Sequence, residues 1–109
     1  MAVRFFNSRS RRIEVFDPIE PGKVRMYSCG PTVYNYAHIG NLRAFVFCDL
    51  LKRYLRYRSY DVLHVMNITD VDDKTIRGSV ASGKALAEYT DFYLAEFLKD
   101  FATLSIQEP

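Results

Sequence analysis

No stretch of this 109-residue chain comes near the about eighteen uninterrupted apolar residues that a membrane-spanning helix needs. The amino terminus, Met1-Ala2-Val3-Arg4-Phe5-Phe6-Asn7, also lacks a long apolar segment of the secretory kind, so a cytoplasmic protein without membrane contact is expected. Cysteine is scarce. Cys29 and Cys48, on different expected elements, are too few for a secreted disulfide scaffold, and reduced thiols are expected. Charge of one sign hardly accumulates: 15 basic against 13 acidic residues leave +2, too little to argue for nucleic acid from composition. The clusters Arg9/Arg11/Arg12 and Lys52/Arg53/Arg56/Arg58 read as solvated faces. No internal repeat, low-complexity tract or second domain interrupts the chain. What it does have is apolar material, 49% hydrophobic and 15% aromatic, enough for the core of one modest globular domain.

Arg4 to Phe16 contains two short apolar-polar alternations flanking Asn7-Ser8-Arg9-Ser10, which predicts a hairpin flap within residues 1–20. Pro18 and Pro21-Gly22 then punctuate the chain before a core strand, Lys23 to Ser28. From Ile39 to Tyr57, Leu42, Phe45, Val46, Leu50, Tyr54 and Tyr57 recur at helical spacing, and Ser59 marks the end of that helix. Tyr60 to Asn67 reads as a second strand with a nearly continuous apolar run. Strand, helix and strand in this order predict a right-handed βαβ unit with parallel strands. The segments Cys29 to Asn41 and Asn67 to Lys74 would then share one rim, where α/β sheets bind ligands. After a short Gly/Ser region (Gly78-Ser79, Ser82-Gly83), Leu86, Tyr89, Tyr93, Leu94, Phe97, Leu98, Phe101 and Leu104 trace a second amphipathic helix whose aromatic stripe is expected in the core. The expected class is α/β, with residues 23–109 forming half of a parallel sheet.

Three blocks carry the chemistry. Cys29 ends the first strand, and a thiolate there is a good zinc ligand, but a zinc site needs three or four donors, so the residues alone favour a small buried hydrophobe. His38 and Asn41 stand three apart at a helix start, on one side of its first turn, with Gly40 between them. Unpaired amides and the positive helix end favour a phosphate there, while a lone histidine would by default be a cap. Thr32, Asn67 and Thr69 offer hydroxyl and amide groups at adjacent strand ends, suited to fixing a small zwitterion. Asp70, Asp72, Asp73 and Lys74 are dense enough in carboxylate for magnesium, but helix capping and salt bridges account for them better, and Asp70→Asn is expected to cost stability before magnesium dependence. Cys48 is expected to pack within the helix, and His64 to be structural.

Tyr27-Ser28-Cys29-Gly30-Pro31-Thr32-Val33-Tyr34, His38-Ile39-Gly40-Asn41-Leu42-Arg43 and Val65-Met66-Asn67-Ile68-Thr69-Asp70-Val71-Asp72-Asp73-Lys74, in this order and spacing, resemble the amino-terminal part of the cysteinyl-tRNA synthetases, class I aminoacyl-tRNA synthetases. The resemblance runs through nearly the whole chain. It implies the first half of a Rossmann-type catalytic domain of the nucleotidyl transferase kind. The complete enzyme would be a cytoplasmic monomer that forms cysteinyl-adenylate from cysteine and ATP with Mg2+, then esterifies tRNA(Cys). His38, Gly40 and Asn41 would bind ATP, with His38 and Asn41 stabilising its phosphates. Thr32, Asn67 and Thr69 would contact the cysteinyl moiety, with Gly30 close by. Cys29 would be one ligand of a zinc ion that selects the substrate thiol over serine, the other ligands lying farther along the family's chain.

Three residues depart from the family pattern: Asn41 replaces the second histidine, Ala44 stands where a hydroxyl residue is common, and Ser59 stands where glycine is common. The Lys-Met-Ser-Lys-Ser signature, the other zinc ligands and the anticodon-binding region do not occur in the sequence, so the 109 residues alone are expected to be nearly inactive. Two rivals stay open. One is the related mycothiol-pathway cysteine ligase, which joins cysteine to an amino sugar. The other is a noncatalytic binding module built on the nucleotide half-site.

Overall fold

The computed structural model describes residues 2–109. Seven elements follow one another: β1 (Arg4–Asn7), β2 (Arg12–Val15), β3 (Lys23–Ser28), α1 (Ile39–Tyr57), β4 (Asp61–Met66), α2 (Asp73–Ser82) and α3 (Leu86–Thr103). Among the described residues no helix is long and apolar enough to cross a membrane.

β1 and β2 form the expected antiparallel hairpin, with Arg4 opposite Val15 and Asn7 opposite Arg12. Its turn closes where the Arg11 amide donates to the Asn7 carbonyl at 2.7 Å and the Arg9 amide to Asn7 Oδ1 at 2.9 Å. The hairpin is held at its base: Val3 joins Val24, Leu55 and Val62 in one core cluster, and Phe16 stands edge-on to both Phe5 and Tyr60.

β3 and β4 pair in parallel from Lys23 opposite Asp61 to Ser28 opposite Met66, flanking α1 in sequence as a βαβ unit requires. Burial alternates along both strands. Val24, Val62 and His64 are buried, whereas Tyr27, Leu63 and Val65 are exposed on the opposite face. The second strand is therefore half-covered among the described residues, not the run buried on both faces that its apolar content suggested. In α1 the buried residues are Phe45, Lys52 and Leu55, while Val46, Leu50, Tyr54 and Tyr57, counted at sequence level on the apolar stripe, are exposed. Sequence spacing located the helix but misplaced its inner face by part of a turn.

The Gly/Ser region expected to link the second strand to the last helix is itself helical. Asp72 and Thr75 make a capping box at the start of α2, with the Thr75 amide donating to Asp72 Oδ1 at 2.9 Å and the Asp72 amide to Thr75 Oγ1 at 2.9 Å. Thr75 is 0% exposed, so tertiary burial adds to that local start. Phe97, Phe101 and Ile106 close on Phe45 as a second core, holding α3 and the following turn against α1.

All three helices finish alike. After α1 the Ser59 amide donates to the Arg56 carbonyl and the Tyr60 amide to Leu55. Gly83 and Lys84 do the same to Val80 and Ser79, and Ser105 and Ile106 to Ala102 and Phe101. The turning residues have φ of 69° (Ser59), 69° (Gly83) and 55° (Ser105), the left-handed conformation of a Schellman ending.

Candidate functional site

The carboxyl ends of β3 and β4 do not simply stop. Beyond them Thr32 and Thr69 form a second parallel bridge, in which the Thr69 amide donates to the Pro31 carbonyl at 2.9 Å and the Val33 amide to the Thr69 carbonyl at 3.1 Å. From Ser28 to Thr32 is four steps, and from the paired Met66 to Thr69 only three, so the first strand carries one extra residue between the two pairings. This is the count of a bulge, placed at the rim. Gly30 sits inside it: its amide donates to Asn67 Oδ1 at 2.8 Å, and a Cβ there would overlap the Asn67 carbonyl. Asn67 Nδ2 in turn reaches Thr69 Oγ1 at 3.3 Å. The Asn67 carboxamide thus ties the two loops together through its oxygen and braces its own loop through its nitrogen.

His38 is the N-cap of α1. Its Nδ1 accepts from the Asn41 amide at 3.2 Å, and the Asn41 Oδ1 accepts from the His38 amide at 3.2 Å, a reciprocal capping box. The capping role weighed for a lone histidine is thus realised, with a chemical consequence. An Nδ1 that accepts carries no proton, so in the neutral ring Nε2 is the N–H donor. No acidic residue occupies the first turn of α1, leaving the positive helix end uncompensated.

A cavity of ≈ 300 Å³ opens beside this cap, lined by the 30–38 loop, Asn41, Phe45, Lys74, Tyr93 and Phe97. Of the residues singled out from sequence, Gly30, Thr32, His38 and Asn41 line it together. Cys29, Gly40, Asn67 and Thr69 stand at the same rim without lining it. Lys74 and the aromatic residues Tyr36, Tyr93 and Phe97 are additions. Lys74 holds its ammonium 4.9 Å from the centre of the Tyr34 ring, and among the described residues it makes no ion pair with Asp70, Asp72 or Asp73. The salt bridges expected of that run are replaced by a cation-π contact. Capping holds for Asp72.

Cys29 is exposed, with Sγ 3.7 Å from the Gly30 carbonyl, and is not the small buried hydrophobe that a lone cysteine suggests. Among the described residues no group of three His, Cys, Asp or Glu side chains could hold a metal ion. A single thiol does not make a zinc cage, so these residues by themselves do not fit the ion.

Behind the rim His64 is 7% exposed, its Nε2 2.7 Å from Ser28 Oγ and its Nδ1 buried without a partner. Burial pushes its pKa down, with Lys52 and Arg56 adding to the effect and Asp49 opposing it. The structural role expected of His64 fits this placement. Cys48 lies half-buried on α1.

A family model described as tRNA synthetases class I (C) catalytic domain matches residues 15–109. Over 109 residues the chain is 51% identical to the cysteine-tRNA ligase of Koribacter versatilis (strain Ellin345), covering 100% of this chain and 22% of that protein. It is 51% identical over 109 residues to the cysteine-tRNA ligase of Solibacter usitatus (strain Ellin6076), 100% of this chain and 23% of the relative. To that of Brachyspira hyodysenteriae (strain ATCC 49526 / WA1) it is 55% identical over 104 residues, 95% of this chain and 22% of the relative. The chain thus spans less than a quarter of the length of these curated relatives.

Proposed function

The chain belongs to the family of class I (C) tRNA synthetase catalytic domains, and from that premise we propose that it forms the amino-terminal part of a cysteine-tRNA ligase. The protein containing it activates cysteine with ATP and Mg2+ as cysteinyl-adenylate and passes the cysteinyl group to tRNA(Cys), acting as a monomer in the cytoplasm. The tRNA acceptor rests on the names of the relatives.

The observation that carries this reading is the convergence of Thr32, His38 and Asn41 on one cavity beside an uncompensated helix start. In the reaction a cysteine carboxylate oxygen attacks the α-phosphorus, the bond from that phosphorus to the bridging oxygen breaks, and pyrophosphate leaves with the electron pair. Charge grows on phosphate oxygens. The His38 Nε2–H and the first amides of α1 meet that charge as preorganised donors. Thr32 offers its hydroxyl to the amino-acid zwitterion, while Asn67 and Thr69 act through the loops they hold. Asn41 fixes the His38 ring. Cys29 alone cannot hold zinc, but in a complete ligase it would supply one thiolate to an ion whose other donors come from elsewhere in that protein, and the ion would there favour a thiol over a hydroxyl.

The test is cysteine-dependent exchange of pyrophosphate into ATP by the full-length protein. His38→Asn keeps an N-cap acceptor and removes the Nε2 donor, so the variant is expected to keep its thermal stability and lose about 10²- to 10³-fold in kcat. A full-length protein without cysteine-dependent exchange refutes the assignment. An active protein indifferent to His38→Asn refutes the role of the imidazole.

A further inference from the structure

The loop between Thr32 and His38 lines the cavity with every one of its residues, yet little of its own backbone is tied to regular structure. Val33 is buried and bonded to Thr69, the Tyr34 amide donates to the Thr32 carbonyl at 3.0 Å, and the Tyr36 amide is held by the side chain of Asn35 at 2.8 Å. The carbonyl of Tyr34 is met from far along the chain by the hydroxyl of Tyr89 on α3. We propose that Tyr89 is a positioning residue: its hydroxyl, seated over Gly78 of α2 and donating to the Tyr34 carbonyl, sets the loop that presents Thr32 and leads into His38. The inference rests on the reading of this site as a cysteine-activating one.

Three independent observations converge on that loop. Gly78 lies inside α2, where glycine costs about 1 kcal/mol relative to alanine, and a Cβ there would overlap the Tyr89 hydroxyl and ring. Only glycine leaves the ring its seat. The ring of Tyr89 stands edge-on to Tyr93 at 5.0 Å, and Tyr93 stands edge-on to Tyr36 at 5.2 Å, so α3 also grips the far side of the loop. The Lys74 ammonium over the Tyr34 ring adds a hold from α2. Like any tyrosine, Tyr89 is protonated at neutral pH and can donate, and burial, followed by the neighbouring Tyr93, moves its pKa further up. The α2–α3 pair therefore acts as a brace for the site loop, with one hydroxyl as its point of contact with the backbone.

The experiment is made on the full-length protein with three variants: Tyr89→Phe, Gly78→Ala, and Gly78→Ala combined with Tyr89→Leu. Tyr89→Phe keeps the ring and removes the bond. It should raise KM for cysteine about fivefold, the scale of one hydrogen bond, with kcat and Tm close to wild type. Gly78→Ala displaces the ring and should raise KM and lower Tm together. The double variant relieves the overlap and should recover Tm without recovering KM. A merely structural tyrosine would reduce the active fraction, hence kcat, and leave KM alone. An unchanged KM in Tyr89→Phe overturns the proposal, as does a double variant that regains wild-type KM along with Tm. If the wild-type protein shows no exchange at all, the functional reading falls instead. The brace is then judged by hydrogen exchange at the amides of Val33, Tyr34 and Tyr36: faster exchange in Tyr89→Phe supports it and unchanged exchange overturns it.

Discussion

Ser59→Gly should stabilise this chain, even though glycine makes the unfolded state more flexible. Ser59 turns the chain after α1 at φ 69°, with its amide on the Arg56 carbonyl and the next amide on Leu55. A left-handed backbone costs an L-residue about 1–2 kcal/mol. Freeing the unfolded chain with a glycine costs about 0.5–1 kcal/mol in the other direction. The serine side chain is exposed, so little else is lost, and the net gain spans about 0–1.5 kcal/mol with a midpoint of about 0.75 kcal/mol. For a domain of this size the midpoint is a rise in Tm of about 3–6 °C. Ser105, at φ 55° after α3, should behave alike, because the bond that Arg53 Nη2 gives it at 2.6 Å ends on its backbone carbonyl, which glycine keeps. Gly83→Ala supplies the opposite sign: a Cβ there meets nothing within 4 Å, so any loss is pure backbone strain, about 1 kcal/mol. Guanidinium melts of the 109-residue chain followed by circular dichroism measure all three. Destabilisation by Ser59→Gly, with Gly83→Ala neutral, would show that the hydroxyl matters more than the backbone angle and would refute the reasoning.

The buried His64 makes stability depend on pH. Its folded pKa lies below the ordinary 6.5, so the fold keeps the ring neutral where the unfolded chain takes up a proton. Stability should be full above about pH 6.5 and fall as pH drops below it. His64→Gln should flatten that slope in urea titrations at several pH values, and an identical slope rules the mechanism out. Gly30→Ala drives a Cβ into the Asn67 carbonyl and should cost about 1–3 kcal/mol, together with exchange activity in the full-length protein. Wild-type stability in that variant would mean that the rim is softer than its hydrogen bonds indicate.

The parallel strands and α1 were legible because their apolar residues repeat with clear periods, and the rim followed from the βαβ rule. The cap was legible only as the default for a lone histidine, and the reciprocal bond with Asn41 was not, because a pair on one side of a first turn reads as facing a ligand. α2 escaped because Gly78, Ser79 and Ser82 carry little helical propensity, and what secures the helix is non-local: Thr75 is fully buried and Gly78 makes room for Tyr89. The aromatic stripe of α3 has a double allegiance that periodicity cannot separate, for Phe97 and Phe101 close the core while Tyr93 and Phe97 also face the cavity. Lys74 sits among carboxylates in sequence, but its partner is a ring contributed forty residues earlier. No local pattern announces such a contact.

The extra residue between Ser28 and Thr32 limits how the rim can be altered. The bridge between residues 32 and 69 is made by backbone atoms alone, so the strand pairing itself does not depend on either side chain, whatever their hydroxyls do for the site. It does depend on the length of the segment. Deleting one residue between Cys29 and Pro31 would bring four steps down to three, let the two strands run on in phase, and erase the arch on which the exposed thiol stands. For anyone redesigning the pocket, the number of residues in this arch is as fixed as the glycine at position 30.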